Sequence, residues 1–433
     1  MRVTRPLRTV LAGGLVAGTL VAAGAAPAQA ADQECSGIRS DNETTETAER
    51  TGSPVQLMQV AEAQRMVAES GRVPGEDVVV AVLDSGVARS DLMQVVAGAS
   101  FAKSDDAPVD LQGTAVAGLI AAKGAPDQPI GIAPGATVLD VRVYDRHQPD
   151  DPATEAGPDA GLLLEGLRYV ADLPRGLVDV VNVSVAVRRN PELDAEMDDV
   201  LADLAAKDVV VVAATGNRPE EGDPLYSELG YDGAEPPHGE DARGAVWPTG
   251  GPHVVGVNAS ATVLVEDEVV PGDAADAVLR SSATDVAVPT ADAVSVALDG
   301  RSTCLLPEVS TAWAAAEVSG VVALLRSYYR DESAVQIVQR LLRTATGSPR
   351  STTTLTGHGV VQPVEALERP LPADDDVTGP RIVDPGDERA EAPRPEADVL
   401  ASTKRNAVWW GLLAGGALVV AVLLRPVLAR RRA

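Results

Sequence analysis

Three segments of the sequence carry side chains that could take part in chemistry, and two of them follow apolar runs. The first is the turn that begins at Asp84, the second surrounds Gln112, and the third is Ala213–Asn217. A carboxylate accepts hydrogen bonds and can hold a cation or orient a base, whereas a side-chain amide donates and accepts but is not basic near neutral pH. These residues favour binding or orienting a polar group and supply no strong base.

A fourth segment, Ser310–Arg326, predicts a buried helix that begins next to such a site. It opens with the small residues Ser310, Thr311 and Ala312 and continues with Ala, Gly, Ser and Val around a broad apolar face. A helix with this composition is closely approached by its neighbours on several sides. Two hydroxyl groups therefore lie at its start, and Ala312 presents a methyl group.

The elements that must position these segments alternate between apolar strands and helices. The predicted strands are Asp77–Leu83, Thr137–Val143, Val178–Val185, Asp208–Ala214 and Val254–Val257. The predicted helices are Ser53–Ser70, Thr114–Lys123, Gly161–Leu173 and Leu193–Lys207. This alternation indicates an α/β fold with a parallel sheet and helices on both faces. Sites in such sheets lie beyond the carboxyl ends of the strands, where the polar segments stand.

Composition excludes several classes of function. The chain has 433 residues and a formal net charge of −27, and it lacks a basic stripe with interleaved aromatic residues, so we expect no nucleic-acid partner. Its acidic residues lie in loops and on helix faces, which is typical of a solvated surface. No acidic stretch has the spacing of an EF-hand loop, and we predict neither a metal ion nor a cofactor.

The N-terminus has the features of an export signal. Residues 1–30 carry three arginines, then an apolar run, then Ala28-Gln29-Ala30, which is the order found in a secretory signal peptide. An uncleaved N-terminal anchor is the alternative. Residues 31–52 would then form an N-terminal extension of the mature protein, ahead of a folded domain that we place at residues 53–367.

The C-terminus predicts a membrane anchor. Residues 407–424 are apolar and uncharged, carry Trp409 and Trp410 near one edge, and are followed by a basic tail, residues 425–433. This length crosses a bilayer, and a positive flank stays cytoplasmic. Residues 368–406 are rich in Pro, Asp and Glu and predict an extended linker. We expect a single-pass protein of the cell membrane with its N-terminal domain outside the cytoplasm; a buried core helix is the alternative for 407–424.

Several motifs, in order, resemble those of subtilisin-family serine proteases of the mycosin type, the membrane-anchored proteases of type VII secretion systems. They are the turn after Asp84, the Gly113-Thr114 helix start, Gly131–Ala136, Val181–Ser184, Gly216-Asn217, the Ser310–Arg326 helix and Gly357–Val361. The resemblance covers about Ser53–Leu367. The signal peptide, Pro-rich linker and C-terminal anchor also fit this type. The resemblance implies a subtilisin-like fold and a peptide-binding cleft.

Carried over by motif, the resemblance assigns Asp84 as the triad aspartate and Asn217 as the side-chain donor of the oxyanion hole. The position of the general-base histidine falls on Gln112, and that of the nucleophilic serine falls on Ala312. An amide does not take a proton from a hydroxyl, and a methyl group cannot attack. In subtilisin, loss of either serine or histidine lowers turnover by about 10⁶. We therefore expect an inactive protease.

The motif around the nucleophile departs from the family in two further places, because Ser310 replaces a glycine and Ala316 replaces a proline. We expect Ser310 and Thr311 to point away from the reacting position, so that neither hydroxyl replaces the nucleophile. His238 lies in an acidic insertion, and a swing of its imidazole into the cleft is a further alternative. Asp84 and Asn217 have a structural interpretation too, as residues that hold their turns.

The chain has two cysteines, Cys35 and Cys304, and an even count in an exported protein permits a disulfide. Cys304 lies shortly before the helix that carries Ala312. A bond between the two would pin the N-terminal extension beside the cleft and, in the chain-entropy model, stabilise the fold by several kcal/mol.

These patterns predict a membrane-anchored pseudoprotease that serves as a scaffold or peptide-binding component of a type VII secretion membrane complex. One alternative is an active serine endopeptidase that processes secreted proteins. The other is a receptor that holds secreted peptide segments without cutting them.

Overall fold

The computed structural model describes residues 33–104, 106–233, 236–265, 268–347, 352–370, 409–420 and 422. The chain divides into two compact units, residues 1–379 and 380–433. In the second unit, residues 409–420 and 422 are helical. The predicted signal peptide, most of the predicted linker and the basic tail lie outside the described residues.

The first unit is built on a seven-stranded sheet in which every neighbouring pair of strands is parallel. Its strands are β1 (Val79–Asp84), β2 (Gln94–Ser100), β3 (Thr137–Arg142), β4 (Val180–Val183), β6 (Val210–Ala214), β8 (Val254–Ser260) and β11 (Val286–Pro289). Their order is β11-β8-β6-β4-β1-β3-β2. The order reverses at β1, which lies between β3 and β4, and such a reversal opens a crevice at the carboxyl edge of the sheet.

Three two-stranded antiparallel ribbons accompany the sheet. Their strands are β5 (Val187–Arg188) with β7 (Val246–Trp247), β9 (Val263–Val265) with β10 (Glu268–Val270), and β12 (Ala293–Val296) with β13 (Thr303–Leu306). The β9–β10 ribbon is largely exposed, whereas β12 and β13 are mostly buried.

Helices cover both faces of the sheet. They are α1 (Ser53–Leu57), α2 (Val60–Glu69), α3 (Gln112–Ala121), α4 (Ala160–Asp172), α5 (Asp194–Ala206), α6 (Pro224–Glu228), α7 (Thr311–Tyr328), α8 (Ala334–Thr344) and α9 (Pro363–Glu368). Successive residues of β1 point to opposite faces: Val80 and Val82 join the core with α3 and α7, while Ala81 and Leu83 join the core with α4 and α5. Burial on both faces explains the continuous apolar runs of the central strands.

Helix α7 runs through the larger core and is almost entirely buried. Its small residues allow close approach: a Cβ added at Gly320 would lie 2.9 Å from Cβ of Ile132. One residue breaks the apolar pattern, because Glu317 is 1% exposed and both of its carboxylate oxygens lack a hydrogen-bond partner among the described residues. Burial alone raises the pKa of Glu317 well above its ordinary value.

The N-terminal extension is tied to the β12–β13 ribbon. Cys35 and Cys304 form a disulfide, with Cα atoms 4.9 Å apart, which confirms the expected pairing. The backbone N–H of Glu46 donates to Oγ of Ser302 at 2.9 Å, and Leu305 N–H donates to the carbonyl of Gln33 at 2.9 Å. The extension is therefore an integral part of the folded unit.

Several predicted elements differ in detail. The predicted helix Ser53–Ser70 is two helices, because Gln59 adopts a left-handed conformation (φ 54°) between α1 and α2. Strands β2 and β11 were not predicted; β2 is largely exposed and has Ala or Gly at three of its seven positions, and β11 is only four residues long. Within the described residues no helix is both long enough and apolar enough to cross a membrane. Residues 407, 408, 421, 423 and 424 of the predicted anchor lie outside the described part of the chain.

Candidate functional site

Asp84 ends β1 at the reversal of strand order and is fully buried. One carboxylate oxygen accepts from the hydroxyl of Tyr144 at 2.9 Å and from the backbone N–H of Ser85 at 2.6 Å. The other oxygen accepts from the hydroxyl of Ser184, the residue that follows β4. Burial raises the pKa of Asp84, while the hydrogen bonds from Ser184, Ser85 and Tyr144 act in the opposite direction.

A chain of buried hydrogen bonds connects this carboxylate to α7. The hydroxyl of Ser319 donates to Oδ1 of Asn182 at 3.0 Å, and Nδ2 of Asn182 donates to Oγ of Ser184 at 3.2 Å. Ser184 in turn donates to Asp84. The network fixes the positions of β1, β4 and α7 relative to one another, so Asp84 has an evident structural role.

Gln112 begins α3 and lies beside Asp84. Its Nε2 donates to Oδ2 of Asp84 at 3.3 Å and approaches the carbonyl oxygen of Ser184 at 3.5 Å. The start of α3 is pressed against the turn after β1, because a Cβ at Gly113 would lie 2.3 Å from the carbonyl oxygen of Gly86. The absence of a side chain at Gly113 thus allows Gln112 to reach the carboxylate.

The first turn of α7 meets the segment after β6 through Asn217. Nδ2 of Asn217 donates to Oγ of Ser310 at 3.1 Å. Its Oδ1 accepts from the backbone N–H of Thr311 at 2.8 Å and from Oγ1 of Thr311 at 3.0 Å. Oγ of Ser310 also accepts from the backbone N–H of Ala312 at 3.2 Å, as the N-cap of the helix.

These segments line one cavity of about 650 Å³. Gln112, Asn217 and Ala312 all contribute to its wall, so the structure brings together three of the four predicted positions, and Asp84 lies behind Gln112. Its further lining residues are His147, Gln148, Ser184, Val185, Ala186, Gly216, Arg218, Pro219, Glu220, Glu221, Gly222, Asp223, Leu225 and Thr311. We call this cavity the cleft. Its wall is polar and apolar in nearly equal parts, and it includes the acidic residues Glu220, Glu221 and Asp223.

The expectation that Thr311 points away from the site is wrong, because Thr311 lines the cleft. Ser310 does not line the cleft, but its hydroxyl is bonded by Asn217 and by the N–H of Ala312, two groups of residues that do. Ser310 has an extended backbone (φ −146°, ψ 136°), as N-cap residues do, and this directs its hydroxyl back over the first turn. His238 is exposed and does not line the cleft, whereas His147, which the sequence did not single out, does. Within the described residues, no group of three or more His, Cys, Asp or Glu side chains is arranged to hold a metal ion.

Comparison with known proteins places this geometry in a family. The model of the subtilase family, peptidase S8, matches residues 75–362, which span β1, the cleft and α7. The chain belongs to the subtilase family. It is also homologous to mycosins of Mycobacterium tuberculosis. It is 29% identical to Mycosin-3 over 83% of this chain and 80% of that protein, and 31% identical to Mycosin-1 over 69% of this chain and 70% of that protein.

Solved structures of mycosins share the fold of this subtilase. The MycP3 protease from the type VII (ESX-3) secretion system is similar with a TM-score of 0.56 and 26% identity, over 76% of this chain and 93% of that chain. A chain of an intact ESX-5 inner membrane complex has the same fold, with a TM-score of 0.56 and 21% identity, over 91% of this chain and 94% of that chain.

Proposed function

We propose that this subtilase is a catalytically inert mycosin homologue that acts as a scaffold in a type VII secretion membrane complex. The proposal rests on the cleft, where the nucleophile position carries the methyl group of Ala312 and the base position carries the amide of Gln112. Neither can begin acyl transfer, since there is no hydroxyl at the first position and no basic nitrogen at the second. An oxyanion hole and substrate binding alone would accelerate peptide hydrolysis only about 10³-fold over the reaction in water, which is too little for a working protease.

The membrane setting is part of the same proposal. Export by residues 1–30, a linker over 368–406 and an anchor over 407–424 would hold the folded unit on the outer side of the membrane. The proposal of a secretion partner is supported by the relatives, of which MycP3 belongs to a type VII secretion system. The folded unit would contribute surfaces rather than chemistry.

Two experiments test the proposal. A tagged full-length chain, purified from its own cells in mild detergent, should bring with it the membrane proteins of the secretion complex. Isolation of the chain alone would count against the scaffold role. A control that lacks residues 407–433 should lose the complex if anchoring is needed for assembly.

The second experiment addresses catalysis. The wild-type chain should not react with a serine-directed fluorophosphonate, because the cleft has no activated hydroxyl. Covalent labelling that disappears in the Ser310→Ala variant, but not in an exposed Ser282→Ala control, would instead indicate an active endopeptidase.

A further inference from the structure

Besides Gln112 and Ala312, a third feature of the site differs from that of a working protease. It lies at the oxyanion site, where the carbonyl oxygen of a substrate would be held. In acyl transfer, the oxygen that becomes negative is held by donors fixed in advance, and removal of one donor costs about 10²–10³ in rate. The two donors at this place are Nδ2 of Asn217 and the backbone N–H of Ala312. Asn217 is assigned by the resemblance, and the Ala312 N–H is available because the first N–H groups of a helix have no partner within the helix.

In this structure both donors point at one atom of the chain itself. Oγ of Ser310 accepts from Nδ2 of Asn217 at 3.1 Å and from the N–H of Ala312 at 3.2 Å. A hydroxyl oxygen has two acceptor lone pairs, and these two hydrogen bonds use both. The family motif has glycine at this position, which offers no such atom.

The surroundings hold Ser310 and Asn217 in this arrangement. Ser310 is 8% exposed, and its backbone N–H donates to Oγ1 of Thr290 at 3.2 Å. The N–H of Thr311 donates to Oδ1 of Asn217 at 2.8 Å, so the amide oxygen must face α7. The amide nitrogen is thereby directed at Ser310, and a flip of the side chain would lose this bond.

We propose that the hydroxyl of Ser310 is a built-in occupant of the oxyanion site and excludes the carbonyl oxygen of a peptide in the cleft. A peptide carbonyl can reach the donors only if Oγ leaves both of them. A carbonyl oxygen in the cleft therefore lacks these donors, independently of the losses at Gln112 and Ala312. This inference uses the same assignment of the site as the proposed function, but it does not depend on a scaffold role.

A crystal structure tests the occupancy directly. In the wild-type chain, Oγ of Ser310 should lie within hydrogen-bond distance of both donors. In the Ser310→Gly variant, soaked in formate, a water molecule or a formate oxygen should lie between Asn217 and the N–H of Ala312. A wild-type crystal in which Oγ of Ser310 is turned away and solvent lies between the two donors would overturn the proposal. A Ser310→Gly crystal with neither water nor formate between the donors would also overturn it.

A kinetic experiment tests the consequence. The full-length chain carrying Gln112→His and Ala312→Ser is prepared with Ser310 unchanged or changed to Thr, Ala or Gly, and its rate of fluorophosphonate labelling is measured. The Gly and Ala variants should react about 10²-fold faster than the unchanged chain. The Thr variant keeps the hydroxyl and should remain slow. Equal measurable rates in all four would refute the inference.

The crystal structures decide the question if none of the four proteins is labelled, because they require no activity. If Ser310 proves not to occupy the oxyanion site, the proposed function remains intact, since co-purification of the secretion complex does not involve Ser310. Conversely, an occupied oxyanion site in a chain that purifies alone would support this inference and contradict the scaffold role.

Discussion

Replacement of Glu317 by Gln should change how the stability of the folded unit depends on pH. The Glu317 carboxyl is 1% exposed, and burial raises its pKa well above the ordinary value of 4.5. Between the unfolded-state pKa and this raised value, the folded chain binds the proton and the unfolded chain releases it. The free energy of unfolding therefore falls as pH rises, by up to about 1.4 kcal/mol per pH unit in that interval.

Glutamine has nearly the same shape and does not titrate. The variant and the wild type should thus have similar free energies of unfolding near pH 4. As pH rises through the interval, the wild type should become progressively less stable than the Gln variant. Urea unfolding, followed by tryptophan fluorescence at a series of pH values, measures this difference. A Glu308→Gln variant, at an exposed position of the same region, is the control for the chemical change.

The reasoning fails if the curves of the wild type and the Glu317→Gln variant run parallel across the pH range. It also fails if the exposed control shows the same divergence. Parallel curves would mean that the carboxylate is hydrated or paired when ionised, in conflict with its burial among apolar residues.

Three further predictions follow from packing and covalent structure, each measured as the free energy of unfolding in urea. Joint replacement of Cys35 and Cys304 by serine should cost roughly 5–6 kcal/mol in the chain-entropy model, because the bond closes a 269-residue separation; a loss below about 1 kcal/mol would contradict this. Asp145→Ala should cost about 3–5 kcal/mol, since it leaves the buried guanidinium of Arg142 without its carboxylate at 2.7 Å; an Asp145→Asn variant that loses nothing would disagree. Gly113→Ala should cost about 1–3 kcal/mol because its Cβ meets a backbone oxygen at 2.3 Å, and an unchanged midpoint would refute that overlap.

The sheet was the most predictable part of the fold. Strands β1, β3, β4, β6 and β8 are buried on both faces, so their apolar runs are visible in the sequence. The edge strand β2 is largely exposed and rich in Ala and Gly, and the ribbon strands are only two to four residues long, so their signals are weaker. Helix α8 had a usable signal, a Ser333–Gln336 capping box before an apolar stretch, which was not recognised.

The site was predictable in its positions but not in its contacts. The motif order led to Asp84, Gln112, Asn217 and Ala312, and the first two are hydrogen-bonded, while the last three line one cleft. Tyr144, which bonds Asp84 from 60 residues away, carries no motif signal. The direction of the Ser310 side chain at the start of α7 could not be predicted either, because it depends on a backbone conformation that the residue types alone do not specify.

The environment of the buried carboxylate bears on which substitutions this fold can tolerate. Asp84 is enclosed and serves four donors, so any replacement would leave several polar groups unsatisfied at once. Gln112 and Ala312 line the cleft, where Ala312 is 4% exposed and Gln112 is half-buried with its amide donating to Asp84. Replacement of Asp84 should therefore cost this fold more stability than replacement of Gln112, which supplies only one of those four hydrogen bonds, so the carboxylate is an architectural requirement whatever chemistry the cleft carries.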